Sequence, residues 1–173
     1  MPTFKDIPHF PRSYYNIDVS LDYVKHTLDR YLRDGLNMDP DFQRGHVWTV
    51  EQQEAFMRYM LQGGETTRIY FNCPRFTSGY RPKGKFVCVD GKQRLTAALA
   101  FLNDEIRPFG LLCSEYTGRM RPDVGFRFHV AELDSKLEVL QWYLSINSGG
   151  TPHSEEDLER VRQLIAKEKV NTK

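Results

Sequence analysis

The stretch Lys85-Phe-Val-Cys-Val-Asp-Gly-Lys-Gln-Arg-Leu-Thr-Ala-Ala-Leu-Ala-Phe-Leu102 changes character halfway along. Lys85–Val89 is a short, mostly apolar run that predicts a buried strand. Asp90-Gly91 is a turn signal. From Lys92 onward, Leu95, Ala98, Leu99 and Leu102 recur at spacings of three and four, which predicts a helix over 92–103 with that stripe facing a core. Where a strand passes through glycine into a helix, the first-turn N–H groups lack intrahelical partners and lie at the positive end of the dipole. Such a corner attracts anions. Lys92 and Arg94 sit in that first turn, where a cation opposes the dipole by about a few tenths of a kcal/mol unless an anion lies between the charges. The pattern suits a phosphate cradle, but the same turn with solvated cations is also common as plain structure. It is not a P-loop, because G-x-x-x-x-G-K-[ST] is absent.

Upstream, residues 1–16 hold three of the nine prolines and predict an extended arm. Ser20 is placed to cap a helix reaching about Arg33, with Leu21, Val24, Leu28, Tyr31 and Leu32 on one face. A polar, turn-rich segment, 37–46, follows. Thr49-Val-Glu-Gln52 has the form of a capping box, predicting a helix to Gln62 that stops at Gly63-Gly64. Ile69–Asn72 suits a short strand. Downstream, residues 107–130 look β-like, with Phe126, Phe128 and Val130 alternating with Arg127 and His129. Asp134 is placed to cap a helix ending near Ile146, broken by Asn147-Ser-Gly-Gly-Thr-Pro152. A charged helix, 154–173, closes the chain. Interleaved strands and helices without a βαβ rhythm predict a mixed α/β (α+β) domain, with 1–173 as one unit.

Composition narrows the class. Hydrophobic residues at 40% and charged residues at 27% are those of a folded chain rather than a disordered one. No apolar run suits a membrane span and the N-terminus lacks a secretory pattern. The three cysteines have no metal-ligand spacing, so the expected setting is a reducing cytoplasm. The net charge of +1 conceals a basic middle: residues 75–127 carry ten Lys and Arg against five Asp and Glu. Two loops there, Arg75–Lys85 and Tyr116–Arg121, interleave cations with aromatic residues. That composition suits nucleic acid through Arg75, Arg81, Lys83, Lys85, Arg119 and Arg121, and equally suits soluble loop tips.

Three ordered segments together resemble a known family. Asp90-Gly-Lys-Gln-Arg-Leu-Thr-Ala-Ala-Leu99 is similar to the D-G-Q-Q-R-L-T-x-L motif of the N-terminal domain of GmrSD-type restriction endonucleases. Asp39-Pro-Asp-Phe-Gln-Arg-Gly-His-Val-Trp48 resembles its upstream P-x-[FY]-Q-R-x-x-x-W element, and Ile146-Asn-Ser-Gly-Gly-Thr-Pro152 its I-N-x-x-G element. The resemblance covers residues 39–152. It implies a ParB/sulfiredoxin-like fold that binds a nucleoside triphosphate, GTP or another, and in several members hydrolyses it. Carried over, Asp90, Gly91, Gln93 and Arg94 form the centre of the site, reached by Gln43 and Arg44 from the first motif and by Asn147 from the third. Lys92 stands where the family has Gln. Family members often carry a C-terminal HNH nuclease. No such cluster is present here, so cleavage by that route calls for a nuclease-bearing partner or a longer relative. The sulfiredoxin turn places a reactive cysteine beside His and Arg; here that turn is Lys92-Gln93-Arg94, and Cys88 lies inside the apolar strand.

These residues predict NTP binding with Mg²⁺-assisted hydrolysis. Gly91 and the following amides would cradle phosphates, with Thr96 on the same helix; Lys92, Arg94 and Arg44 would neutralise charge. Gln43 or Gln93 would position water, and Asp90 would hold the metal. Asp39 and Asp41 are weaker metal candidates, since turn chemistry explains Asp-Pro-Asp equally well. Trp48 serves either as a core anchor or in base stacking, and His46 as an acid/base or a plain surface residue. The alternatives are a non-catalytic DNA-binding or sensing module and a DNA nickase. The expected context is restriction or phage defence, or its antagonism, in a bacterial, archaeal or phage-infected cell, away from membranes.

Overall fold

The computed structural model describes residues 13–43, 48–66, 68–148 and 155–171. Among these, four strands and five α-helices follow in the order β1 (Ser13–Ser20), α1 (Leu21–Arg33), α2 (Val50–Leu61), β2 (Ile69–Asn72), β3 (Val87–Asp90), α3 (Lys92–Leu102), β4 (Gly125–Ala131), α4 (Lys136–Ser148) and α5 (Glu155–Asn171). The chain is a mixed α/β protein, as its sequence predicts. The sheet runs β1-β4-β2-β3, with β4 antiparallel to β1 and parallel to β2, and β2 antiparallel to β3.

Period-two alternation divides the sheet into two faces. Tyr15, Ile17 and Val19 of β1 join Phe126, Phe128 and Val130 of β4, Ile69 and Phe71 of β2 and Cys88 of β3 on the first face. Helices α1, α2 and α3 cover it. Tyr31 of α1 lies at the centre, its ring 5.7 Å from Phe71 and 5.1 Å from Phe86. The second face holds Val87, Val89, Tyr70 and Ala131 beneath Leu140, Trp142 and Tyr143 of α4, with Val161 of α5 behind them. Helix α4 lies mainly over β3 and β2 and reaches β4 at Ala131 and His129, whose ring centre is 6.1 Å from that of Trp142. Over β1 and β4 the outward residues are polar: Asp18 pairs with Arg127 at 2.7 Å and Asn16 lies 2.8 Å from His129 Nδ1.

Several sequence expectations need correction. Ser13–Asn16 belong to β1 and not to an arm, because Tyr15 begins the inward alternation; residues 1–12 lie outside the described residues. Ser20 occupies the N-cap of α1, but its hydroxyl donates to the Asp22 carboxylate. The capping box at Thr49 and Gln52 forms as expected. Between 107 and 124 there is no strand, only loops and a short 3-10 turn at Cys113–Glu115. Ser135, not Asp134, caps α4: its Oγ accepts from the Glu138 N–H and donates to the Glu138 carboxylate. The helix runs through Asn147, and the Gly-Gly-Thr-Pro break lies outside the described residues. Among the described residues no helix is long and apolar enough to cross a membrane.

Candidate functional site

Strand β3 delivers Asp90 to the sheet's end, and Gly91 turns the chain into α3 at φ +106°, in the left-handed region that favours glycine. A Cβ on Gly91 would stand 2.5 Å from Ile69 Cδ1, so both backbone and packing demand glycine. No side chain caps the start of this helix. The corner opens into a cleft of about 160 Å³ lined by Gln43, Trp48, Asp90, Lys92, Gln93, Arg94 and Tyr143, among others. Residues far apart in sequence thus meet: Gln43 and Trp48 from the first motif, 90–94 from the second, and Tyr143 one helical turn before Asn147.

Each polar side chain of the cleft is held. Asp90 Oδ2 accepts from Arg94 Nη2 at 2.6 Å, an i,i+4 ion pair in which Arg94 is only 13% exposed. Arg94 Nη1 also donates to the Arg68 carbonyl at 3.1 Å, tying α3 to the start of β2. Lys92 Nζ pairs with Asp39 Oδ1 at 2.6 Å, which offsets a cation at the helix's positive end. Gln43 Nε2 donates to the Cys88 carbonyl at 2.7 Å and fixes its segment to the edge of β3. Gln93 is the exception. Its Oε1 is buried and has no hydrogen-bond partner. A buried unpaired acceptor costs on the order of 1–3 kcal/mol, and Gln93 is one of the residues that line the cleft.

Other expected residues lie elsewhere. The Thr96 hydroxyl donates back to the Lys92 carbonyl at 2.9 Å, within its own helix. Asn147 is buried and its Nδ2 donates to the Tyr143 carbonyl at 2.7 Å. Arg44 and His46 lie outside the described residues. Trp48 lines the cleft and packs on Phe56, with ring centres 5.4 Å apart. Asp41 pairs with Lys136 at 2.6 Å as Asp39 does with Lys92, so each of these carboxylates answers a lysine. Among the described residues no group of three or more His, Cys, Asp or Glu side chains is placed to hold a metal. Cys88 is fully buried and burial pushes its thiol up to about 12, which makes it a core residue rather than a nucleophile.

The basic loops are largely occupied. Arg81 stacks 4.1 Å over Phe76 and donates to the Phe76 carbonyl. Lys85 donates to the Asp134 carbonyl at 2.8 Å, Arg121 pairs with Asp123 at 2.6 Å, and Arg75 lies 5.9 Å from the Tyr80 ring centre. Lys83 and Arg119 are exposed. Sequence reasoning did not single out Tyr143, Arg68 or the Asp39–Lys92 pair. Tyr143 sits in an apolar helix run, Arg68 acts through its carbonyl, and the pair joins segments more than fifty positions apart, so none leaves a local signature.

This is a mixed α/β chain that gathers its polar residues at one strand–glycine–helix corner. Residues 24–162 match the family model of the GmrSD restriction endonuclease N-terminal domain, and the chain belongs to that family. It has no significant match among the curated proteins or the solved structures.

Proposed function

We propose that the Gly91 corner binds the phosphates of a nucleoside triphosphate and, with Mg²⁺, hydrolyses the terminal one. The observation that carries this reading is the cleft itself. Gln43, Asp90, Lys92, Gln93 and Arg94 line one cleft at a helix start that no side chain caps.

The residues present fit a polyphosphate. The amides following Gly91 and the Lys92 ammonium supply donors and positive charge. Arg94 is committed to Asp90 and the Arg68 carbonyl, so its first task is positioning: it fixes the carboxylate's orientation and adds a nearby cation. Asp90 is the residue that would hold Mg²⁺, whose chemistry is to neutralise phosphate oxygens. A turn of the Gln93 amide would bring its Oε1 out of the interior to accept a hydrogen bond from the attacking water. As an amide it orients that water and does not take its proton. The same reading takes the fold as ParB/sulfiredoxin-like and the setting as restriction-type defence, with a nuclease-bearing protein as a partner.

Phosphate release from the purified chain, measured with ATP, GTP, CTP and UTP in the presence of Mg²⁺, tests the proposal. The expected result is turnover with at least one nucleotide. Gln93→Ala should lower it by about 100-fold, while nucleotide affinity changes by less than about 3-fold. Turnover equal in the wild type and Gln93→Ala removes Gln93 from the reaction, and no release with any of the four removes the hydrolytic reading.

A further inference from the structure

We infer that a second cavity beside the corner receives the nucleoside of the same nucleotide, an inference that rests on the phosphate reading above. The cleft at Gly91 measures about 160 Å³, below the roughly 300 Å³ at which small-molecule sites begin. It has room for phosphates and not for a base and sugar as well. A cavity of about 490 Å³ lies next to it, lined in part by Asp39, Phe42, Val87, Asp134 and Val139.

Three pairs of residues place the two spaces beside one another along β3 and α4. Phe42 lines the larger and Gln43 the smaller. Val87 and Val89, on one face of β3, divide in the same way, as do Val139 and Tyr143, one turn apart on α4. Two residues of strand advance about 7 Å, and four residues of helix about 6 Å. The two measures agree, and the offset is short enough for one nucleotide to reach both. Phe42 and Tyr143 touch where the spaces meet, with ring centres 5.3 Å apart. The Asp39–Lys92 ion pair spans the same boundary, its carboxylate on the larger cavity and its ammonium on the smaller.

The chemistry of the larger cavity differs from that of the corner. Phe42, Val87 and Val139 are buried and form an apolar floor suited to the flat face of a base. Asp134 stands exposed on the rim, and its backbone carbonyl, not its carboxylate, accepts from Lys85. A carboxylate so placed suits the hydroxyls of a ribose.

Calorimetric titration of the full chain with the four nucleoside triphosphates and with inorganic triphosphate separates the two ideas. At least one nucleotide should bind about tenfold or more tightly than inorganic triphosphate. Asp134→Trp, at an exposed position, should abolish that advantage and leave inorganic triphosphate within about 2-fold of wild type. Circular dichroism confirms that this variant folds; if it does not, Asp134→Asn is used. Asp134→Asn should weaken the nucleotide about 3- to 10-fold and leave its 2′,3′-dideoxy analogue unchanged. Equal wild-type affinity for nucleotide and inorganic triphosphate overturns the nucleoside site while sparing the phosphate site. An equal loss for both ligands in Asp134→Trp also overturns it. Absence of binding by every ligand to the wild type removes the phosphate reading, and this inference with it.

Discussion

Gly91 shows how much a single missing methyl can decide. Its φ of +106° and the Ile69 Cδ1 atom 2.5 Å from its would-be Cβ are independent obstacles to any other residue. Backbone strain of this kind costs about 1–3 kcal/mol and overpacking about as much again. Gly91→Ala should therefore lose about 2–4 kcal/mol in urea unfolding. Adding Ile69→Val, which removes the offending methyl, should recover part of that loss as a coupling energy. A loss below about 0.5 kcal/mol would mean that the corner is not fixed by these contacts. The glycine was legible in the sequence because Asp90-Gly91 divides two hydrophobic periods. Its second constraint was not, since Ile69 lies 22 positions away and only the pairing of β2 with β3 brings it near.

Among the elements, the segment leading from α1 to Gln43 does more than connect. The Asn37 N–H donates to the Phe86 carbonyl and the Cys88 N–H to the Asn37 carbonyl, so the segment begins as a bridge on the edge of β3. Gln43 ends it on the Cys88 carbonyl. Gln43→Ala would leave that carbonyl without its side-chain donor, and thermal unfolding should report a loss of about 1–2 kcal/mol. An unchanged melting temperature would mean that water replaces the amide without cost. The sequence exposed those elements that carry their own stop and start signals, such as Thr49 with Gln52 before α2. It concealed those decided by competition. Asp134 and Ser135 are both good caps, and only the geometry around Glu138 selects the serine. Leu111, Leu112, Tyr116 and Met120 give residues 107–124 a strand-like composition, yet Leu111 and Tyr116 are exposed and no strand forms there. The three motifs were visible from residue types alone; that Tyr143 rather than Asn147 lines the cleft depended on how α4 lies across the sheet.

At the scale of the molecule, the half-covered second face carries a titratable group. Burial, with the nearby Arg68 charge, holds His129 below the ordinary imidazole range. Its ring is therefore neutral in the fold at a pH where the unfolded chain still takes up a proton. The stability this contributes is complete above the unfolded value of about 6.5 and is lost as pH falls through the window below it. Melting temperatures of the wild type and His129→Gln, followed from about pH 8 to pH 5, should converge at the acid end, because the variant lacks this loss. Parallel curves would show that other groups dominate.

The position of β4 has a further consequence. Among the described residues it is the last strand in sequence, yet it lies inside the sheet, pairing with β1 from Ser13 to Ser20 on one side and with β2 on the other. A chain emerging from the ribosome makes β1 first and must then lay down more than a hundred residues before its partner appears. Until residue 131 is available, β1 has no neighbour and the β2–β3 hairpin has a bare flank. Such distant pairings slow folding and leave strand edges open to other chains. Assembly of this sheet is thus set by the arrival of β4, however early its helices form.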